Sequence, residues 1–343
     1  MDHKIDDIVG ASRPPSIPSV ILAPYTYLHN LPGNNKNMRY QFLVAFNKLY
    51  FDILDEEVLA EIGSVIAIFH DSSLLIDDIE DSSTVRRGHP CAHIKYGIPL
   101  TINAGNLMYF MALKRAVTSL PELWLRLNGM ASNVKFQNDA QTILVDEMLN
   151  LHVGQGLDIY WRDNLQTIWE HEIPTTAEYL DMVMNKTGGL FRLSIKLLAL
   201  FSSRNFEISN LIPLANLLGI IYQVRDDYLN LVDERYEEMK GMAGEDLVEG
   251  KLSLPILHAM VNAKNHTPVH EVLLDLKTSE ERRQLPSKVA AAIKYMRESG
   301  SIAYTYELLQ KFVKKALDIL EASDGDIRVL KGIIVHLGEV VRA

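Results

Sequence analysis

The sequence predicts an all-α protein: one large helical bundle with a deep interior, over a chain of 343 residues. Three observations point there. From Met38 onward, apolar residues recur at helical spacing in long stretches. The breaks between them are short: Arg87-Gly88-His89-Pro90, Tyr96-Gly97-Ile98-Pro99 and Glu172-Ile173-Pro174-Thr175-Thr176. No run of alternating strands, no Gly-rich phosphate loop and no solenoid repeat interrupts the pattern. Taken in order, residues 1–20 carry Ser12-Arg13-Pro14-Pro15-Ser16-Ile17-Pro18-Ser19 and read as a flexible N-terminal extension. Residues 21–343 follow as a single domain without a convincing linker. The last third, from about Glu271, is more polar and reads as amphipathic helices closing the bundle. A hydrophobic fraction of 48% is ample for the core.

Composition narrows the function. A net charge of −10 argues against nucleic acid or an anionic membrane surface as a general partner. An anionic substrate would therefore need a locally cationic site. A single cysteine, Cys91, excludes an intrachain disulfide and fits a reducing compartment, so a cytoplasmic protein is expected. Asp2, Asp6 and Asp7 give the N-terminus neither the apolar core of a signal peptide nor the basic character of a transit peptide. The most apolar region, Leu190 to Val224, is broken by Arg192, Lys196, Arg204, Glu207 and Pro213, and no membrane span is expected there.

Two acidic clusters lie inside apolar, helix-forming runs: Asp77-Asp78-Ile79-Glu80-Asp81 and Asp226-Asp227-Tyr228-Leu229-Asn230. Burying an ionised carboxylate costs several kcal/mol unless a cation compensates it. At i,i+4 spacing Asp77 and Asp81 share one face of a helix, as do Asp226 and Asn230. The first stripe extends back to Leu74 and His70, the second to Tyr222 or Gln223. Oxygen-only donors suit magnesium, which is held by one or two carboxylates plus substrate phosphate oxygens. One such run alone would read as a solvated helix face; two runs embedded in apolar sequence favour a metal cluster between facing helices.

Cations gather at the breaks. Arg86 and Arg87 follow the first cluster, and guanidinium forks bind phosphate oxygens in pairs. Offsetting a helix C-terminus, or simple ion pairing, explains two such arginines equally well. Lys36 and Arg39 stand three residues apart at a helix start, where backbone amides attract anions. Asn185-Lys186-Thr187-Gly188-Gly189 offers an ammonium, a hydroxyl and a close backbone approach. Lys240 and Lys251 flank the segment after the second cluster. Any one of these lysines reads as a surface charge; the set is what points to a diphosphate.

These motifs resemble the trans-isoprenyl diphosphate synthases, and most of all the eukaryotic, fungal type of geranylgeranyl diphosphate synthase. Ser73-Leu74-Leu75-Ile76-Asp77-Asp78-Ile79-Glu80-Asp81 with Arg86-Arg87-Gly88 matches the family's first aspartate-rich motif. Gly154-Gln155-Gly156-Leu157-Asp158-Ile159-Tyr160-Trp161-Arg162-Asp163, Lys186-Thr187-Gly188-Gly189, Gln223-Val224-Arg225-Asp226-Asp227-Tyr228-Leu229-Asn230 and Glu249-Gly250-Lys251-Leu252-Ser253-Leu254-Pro255 follow in family order. The resemblance runs from about Pro32 past Pro255. It implies the isoprenoid synthase fold, and three magnesium ions on Asp77, Asp81 and Asp226, with Asp78 and Asp227 in support. It implies an allylic diphosphate held by Arg86, Lys186, Thr187, Gln223, Asn230, Lys240 and Lys251. Isopentenyl diphosphate would lie on Lys36, Arg39, His70 and Arg87. A lone histidine on an apolar face more often satisfies a core hydrogen bond, but His70 lies on the Asp77/Asp81 stripe. Asn34-Asn35 between Gly33 and Lys36, and one extra residue between Lys240 and Lys251, depart from the family and bear on loop geometry.

The implied reaction is ionisation, condensation and elimination, with water kept from a carbocation by the apolar interior. Small Ser72 and Ser73 just before Asp77 leave the pocket wall open beyond a farnesyl chain. By resemblance, Tyr109, Phe110 and His152 are floor candidates for a C20 product, with C25 left open by Gly105 and Met108. A class I terpene cyclase, a non-catalytic partner subunit and a piece of a cyclase–prenyltransferase fusion are the rival readings. A cyclase has no need of Lys36, Arg39 and Arg87. The resemblance also implies a homodimer, or a hexamer built from dimers.

Overall fold

The computed structural model describes residues 16–32, 36–129, 133–204, 207–233, 244–263 and 266–342, apart from the side chains of residues 36 and 37. Lys240 and residues 1–15 of the expected extension lie outside these, as does the side chain of Lys36.

Helices carry the described chain. Helix α1 (Ala23–Asn30) and α2 (Lys36–Phe46) precede the long α3 (Glu56–Glu80). Helices α4 (Ala92–Tyr96), α5 (Ile98–Val117), α6 (Ser119–Asn128) and the 30-residue α7 (Val134–Asp163) follow. Then come α8 (Leu165–His171), α9 (Thr176–Lys186), α10 (Gly189–Phe201) and α11 (Ile212–Val232). Helices α12 (Glu245–Glu249) and α13 (Leu254–Val261) come next, and α16 (Pro286–Glu298), α17 (Ser301–Glu321) and α18 (Arg328–Gly338) close the bundle, with α14 (Pro268–His270) and α15 (Ser279–Arg283) as short turns between. Among the described residues the strand content is one two-residue antiparallel hairpin, Val85–Arg86 with His89–Pro90. The sequence reads there as a plain loop, because four ladder residues carry no alternation to detect.

Local chemistry fixes the helices that matter. Asp55 caps α3 by accepting the Glu57 and Val58 amides at 2.9 and 3.1 Å, with Glu56 and Glu57 favouring the positive end of the dipole. Thr175 and Glu178 form a capping box at the start of α9. Helix α3 packs on α5, α7 on α9 and α10, and α11 on α17. By length and hydropathy α3 would also suit a membrane span, yet half of that window is buried against protein, including Ile62, Val65 and Leu75.

A buried ionic cluster ties the central helices together. Glu147 of α7 accepts Arg192 Nη2 at 2.8 Å and Lys196 Nζ at 2.6 Å, both from α10. Arg192 Nη1 also donates to the Met184 carbonyl at 2.7 Å and to Asn216 Oδ1 at 2.9 Å, reaching α9 and α11. Burial opposes the charge on Glu147, but Arg192 and Lys196 outweigh it and hold the carboxyl below its ordinary range.

Candidate active site

The first acidic cluster ends α3. Asp77 Oδ2 accepts Arg86 Nη2 at 3.3 Å, and its Oδ1 lies 3.2 Å from Gln155 Nε2 and 3.6 Å from Lys186 Nζ. Asp81 is the C-cap of the helix, and its Oδ1 accepts Arg162 Nη1 at 2.7 Å. Burial and then neighbouring Asp77 push the Asp81 carboxyl up to about 7. Asp78 is turned inward and fully buried, where its Oδ1 takes Arg86 Nε at 2.8 Å. Burial works against the charge on Arg86, but Asp78 and Asp77 more than offset it. Of the two readings of Arg86, ion pairing with carboxylates is the one seen locally.

Lys186 stands at the end of α9, 2.6 Å from Asp158 Oδ2 of α7. Burial opposes its charge, yet Asp158 and Asp77 raise its pKa above the usual lysine value. Thr187 Oγ1 donates to Gln223 Oε1 at 3.0 Å, and Gln223 Nε2 donates to Asp227 Oδ1 at 2.9 Å. Asp227 is buried and also accepts the Tyr179 hydroxyl and, at 2.8 Å, the Leu254 amide. Lys251 follows α12 and lies 3.9 Å from Asp246. Its field reaches Asp81, Asp158 and Asp227, so one lysine serves both acidic stretches. The chain breaks place these groups through backbone contact: a Cβ on Gly219 of α11 would lie 2.5 Å from Gly188 Cα.

A second cationic set sits beside the first. His70 is held neutral well below its ordinary pKa by burial and then by Arg39, Arg87 and Arg86. Arg87 takes a left-handed backbone, φ +56°, a strained conformation for a side-chain-bearing residue, and its buried Nη1 has no hydrogen-bond partner. Tyr222 of α11 feels Asp226, Arg39, Arg225 and Arg87, so its phenol joins this set. Asp226 lies one turn after Tyr222 on the same helix and acts on its phenol. Asp71, one residue past His70, is buried and takes His29 Nδ1 of α1 at 2.7 Å.

Below Asp77 runs the apolar wall. Ser73, one turn back, hydrogen-bonds the His70 carbonyl at 2.7 Å, and buried Ser72 bonds the Ile68 carbonyl at 2.6 Å. Tyr109 of α5 packs edge-on to Phe69 with centroids 5.5 Å apart, and its hydroxyl feels Glu80 and Asp77. The His152 ring lies 5.7 Å from that of Tyr109, at the exposed surface of α7.

Two expectations need correction. Phe110 is 67% exposed on the outside of α5, because adjacent helical residues point about 100° apart and Tyr109 takes the inward place. Asn230 does not present its amide to the site: it is buried, its Oδ1 accepts the Asp246 amide at 3.2 Å, and its carbonyl accepts the Gly244 amide at 3.1 Å. It anchors the start of α12. Residues with no role in the sequence reading enter instead: Gln155, Asp158, Arg162, Tyr179 and Tyr222. Gln155, Asp158 and Arg162 stood inside a recognised motif; polar residues on a long apolar helix were the signal.

The donor set suits hard divalent cations. Asp77 and Asp81 are acids crowded enough to share charge poorly, Asp158 Oδ1 is a buried orphan acceptor, and only oxygens are offered. Among the described residues no three acid or imidazole groups converge on one point, and Asp77 and Asp81 are engaged by Arg86, Lys186 and Arg162. The described chain is thus an all-helical body with a carboxylate cluster and largely buried lysine and arginine side chains beside it. The sequence profile described as polyprenyl synthetase matches residues 18–296. A geranylgeranyl pyrophosphate synthase of Hericium erinaceus is 39% identical over 91% of this chain and 90% of its own. One of Macrophomina phaseolina is 40% identical over 93% and 88%, and one of Eremothecium gossypii 40% identical over 88% and 90%. The chain belongs to the polyprenyl synthetase family, whose members generally depend on magnesium.

Proposed function

We propose that the protein is a geranylgeranyl diphosphate synthase, extending allylic diphosphates (dimethylallyl, geranyl or farnesyl) with isopentenyl diphosphate to a C20 product. The observation that carries this is the presence of two cationic sets. Lys186, Lys251 and Arg86 act on the acids of the first cluster, with Thr187 next to Lys186 in the chain; Arg39, Arg87 and neutral His70 act on one another. One diphosphate needs one set; a condensation of two diphosphates needs both. The names of the relatives favour the same reading.

Magnesium, three ions with substrate bound, would be held by Asp77, Asp81 and Asp226 and would supply charge stabilisation for the departing diphosphate. The first cationic set, with Lys240, grips that diphosphate while its bond to the allylic carbon breaks. The second set, with Lys36, orients isopentenyl diphosphate so that its double bond attacks the same carbon. The proton then lost goes to diphosphate oxygen, so no side-chain base is assigned. Ser73, Phe69 and Tyr109 exclude water from the cation.

We infer a homodimer, the unit from which a hexamer would be built: Leu149, Val153 and Leu157 line one exposed face of α7 at i,i+4 spacing, with Phe110 exposed on adjacent α5. The reading includes a cytoplasmic location. Incubation with magnesium, farnesyl diphosphate and isopentenyl diphosphate, followed by product analysis, tests the activity. Geranylgeranyl diphosphate is expected. Hydrocarbon without isopentenyl consumption means a cyclase, and no turnover means a partner subunit; either overturns the proposal. Light scattering of the purified protein tests the dimer.

A further inference from the structure

Arg162 lies in the last turn of α7, and neither cationic set includes it. Its Nη1 donates to Asp81 Oδ1 at 2.7 Å and its Nε to Asp163 Oδ1 at 2.9 Å. Arg162 and Asp81 are 15% and 16% exposed, whereas Asp163 is 58% exposed. Among the described residues, Arg162 is the one cation within ion-pair distance of Asp81. A cleft of about 280 Å³ opens beside the pair, with Asp81, Arg162, Asp163 and Lys277 in its walls. The guanidinium thus bridges an inner, sheltered carboxylate and an outer, solvated one.

That geometry has two consequences. A buried acid with no counter-ion is costly, and Arg162 supplies one for Asp81. A divalent ion on Asp81 supplies another, and repels a guanidinium a few ångströms away. The arginine has somewhere to go: Nε can keep Asp163 while Nη1 leaves Asp81 for the cleft. Arg162 is a long, flexible side chain at a helix end, so the swing moves no backbone.

We propose that Arg162 is a displaceable counter-ion for Asp81, a positioning residue that competes with the metal and sets how tightly the metal–diphosphate is held. Asp163 is its outer rest. The inference relies on Asp81 being a metal ligand, and the test separates the two claims.

The experiment titrates Mn²⁺ with inorganic pyrophosphate into the purified full chain by calorimetry, for the wild type, Arg162→Gln, Asp163→Asn and Asp81→Asn. Arg162→Gln should bind about 3- to 10-fold more tightly, as expected for loss of one competing, partly sheltered ion pair. Asp163→Asn, an exposed change that leaves the fold intact, should bind about 3-fold more weakly because the outer rest is lost. Melting of Arg162→Gln should fall without metal and recover to the wild-type value with Mn²⁺ and pyrophosphate. Weaker binding in Arg162→Gln overturns the proposal, since the guanidinium would then grip the diphosphate itself. Unchanged affinity in both Arg162→Gln and Asp163→Asn overturns it too. Undiminished Mn²⁺ binding by Asp81→Asn would remove the ligand assignment, independently of Arg162.

Discussion

Gly154→Ala should damage this enzyme through a single methyl group. A Cβ at Gly154 of α7 would lie 2.4 Å from the Lys186 amide nitrogen, 2.9 Å from Lys186 Cα and 2.9 Å from the Met182 carbonyl. All three are backbone atoms of α9, so no side chain can swing aside. Carbon contacts are comfortable near 3.5 Å, which means the two helices must part by about 1 Å. Overpacking of this kind costs about 1–3 kcal/mol of stability. The larger effect is on turnover. Lys186 is the atom pair's neighbour, and its ammonium is set against Asp158 at 2.6 Å and Asp77 at 3.6 Å. A 1 Å misplacement of such a group is worth up to about 10²-fold in rate. Steady-state kinetics with both substrates, alongside urea denaturation, measures both terms. Gly332→Ala is the control: it sits at an exposed position of α18 with open space at its Cβ, and should gain about 0.5–1 kcal/mol from helix propensity alone. Full turnover and undiminished stability in Gly154→Ala, or equal damage in Gly332→Ala, would refute the reasoning.

Glu147→Gln leaves Arg192 and Lys196 buried without a carboxylate and should cost about 3–5 kcal/mol in urea denaturation. Because the Glu147 pKa is depressed in the folded chain, its contribution is fully present above the ordinary glutamate range and is lost as pH falls through the lowered value; stability against pH should lose part of its acid limb in the variant. His70→Ala should raise KM for isopentenyl diphosphate about 10-fold while leaving the allylic KM unchanged, since a hydrogen bond to a charged group is worth about 1.5–3 kcal/mol. Equal effects on both substrates would remove His70 from the second set. Ser73→Phe should shorten the product towards C15 in chromatographic analysis; an unchanged spectrum would mean that Ser73 does not line the chain pocket.

The candidate site was legible in part because charge is conspicuous in an apolar run. Asp77, Asp81, Asp226, Lys186 and Arg86 stand in or beside such runs, and helical spacing puts Asp77 close enough to Asp81 to push its carboxyl up. What sequence could not supply was partnership across the chain. Arg192 and Lys196 read as interruptions of an apolar stretch, whereas they balance Glu147, more than forty residues away. Asn230 has the spacing of a ligand, but the far side of α11 is covered by α12, which claims its amide. Phe110 failed for a simpler reason: one residue of a helix pair faces in, and only packing decides which. Tyr222 was visible as a stripe position, yet its relation to Arg39 and Arg87 needed three separate segments to meet.

The contact of Gly188 with Gly219 has a consequence for what this scaffold can vary. Where main chain rests on main chain, the gap between Thr187 and Gln223 is gauged by peptide geometry, and side-chain changes that leave these helices in place do not widen or narrow it. On the proposed reading, the groups that close on a diphosphate would therefore have a fixed calibre, whereas a tail lining made of replaceable side chains such as Ser73 and Tyr109 would have no such restriction.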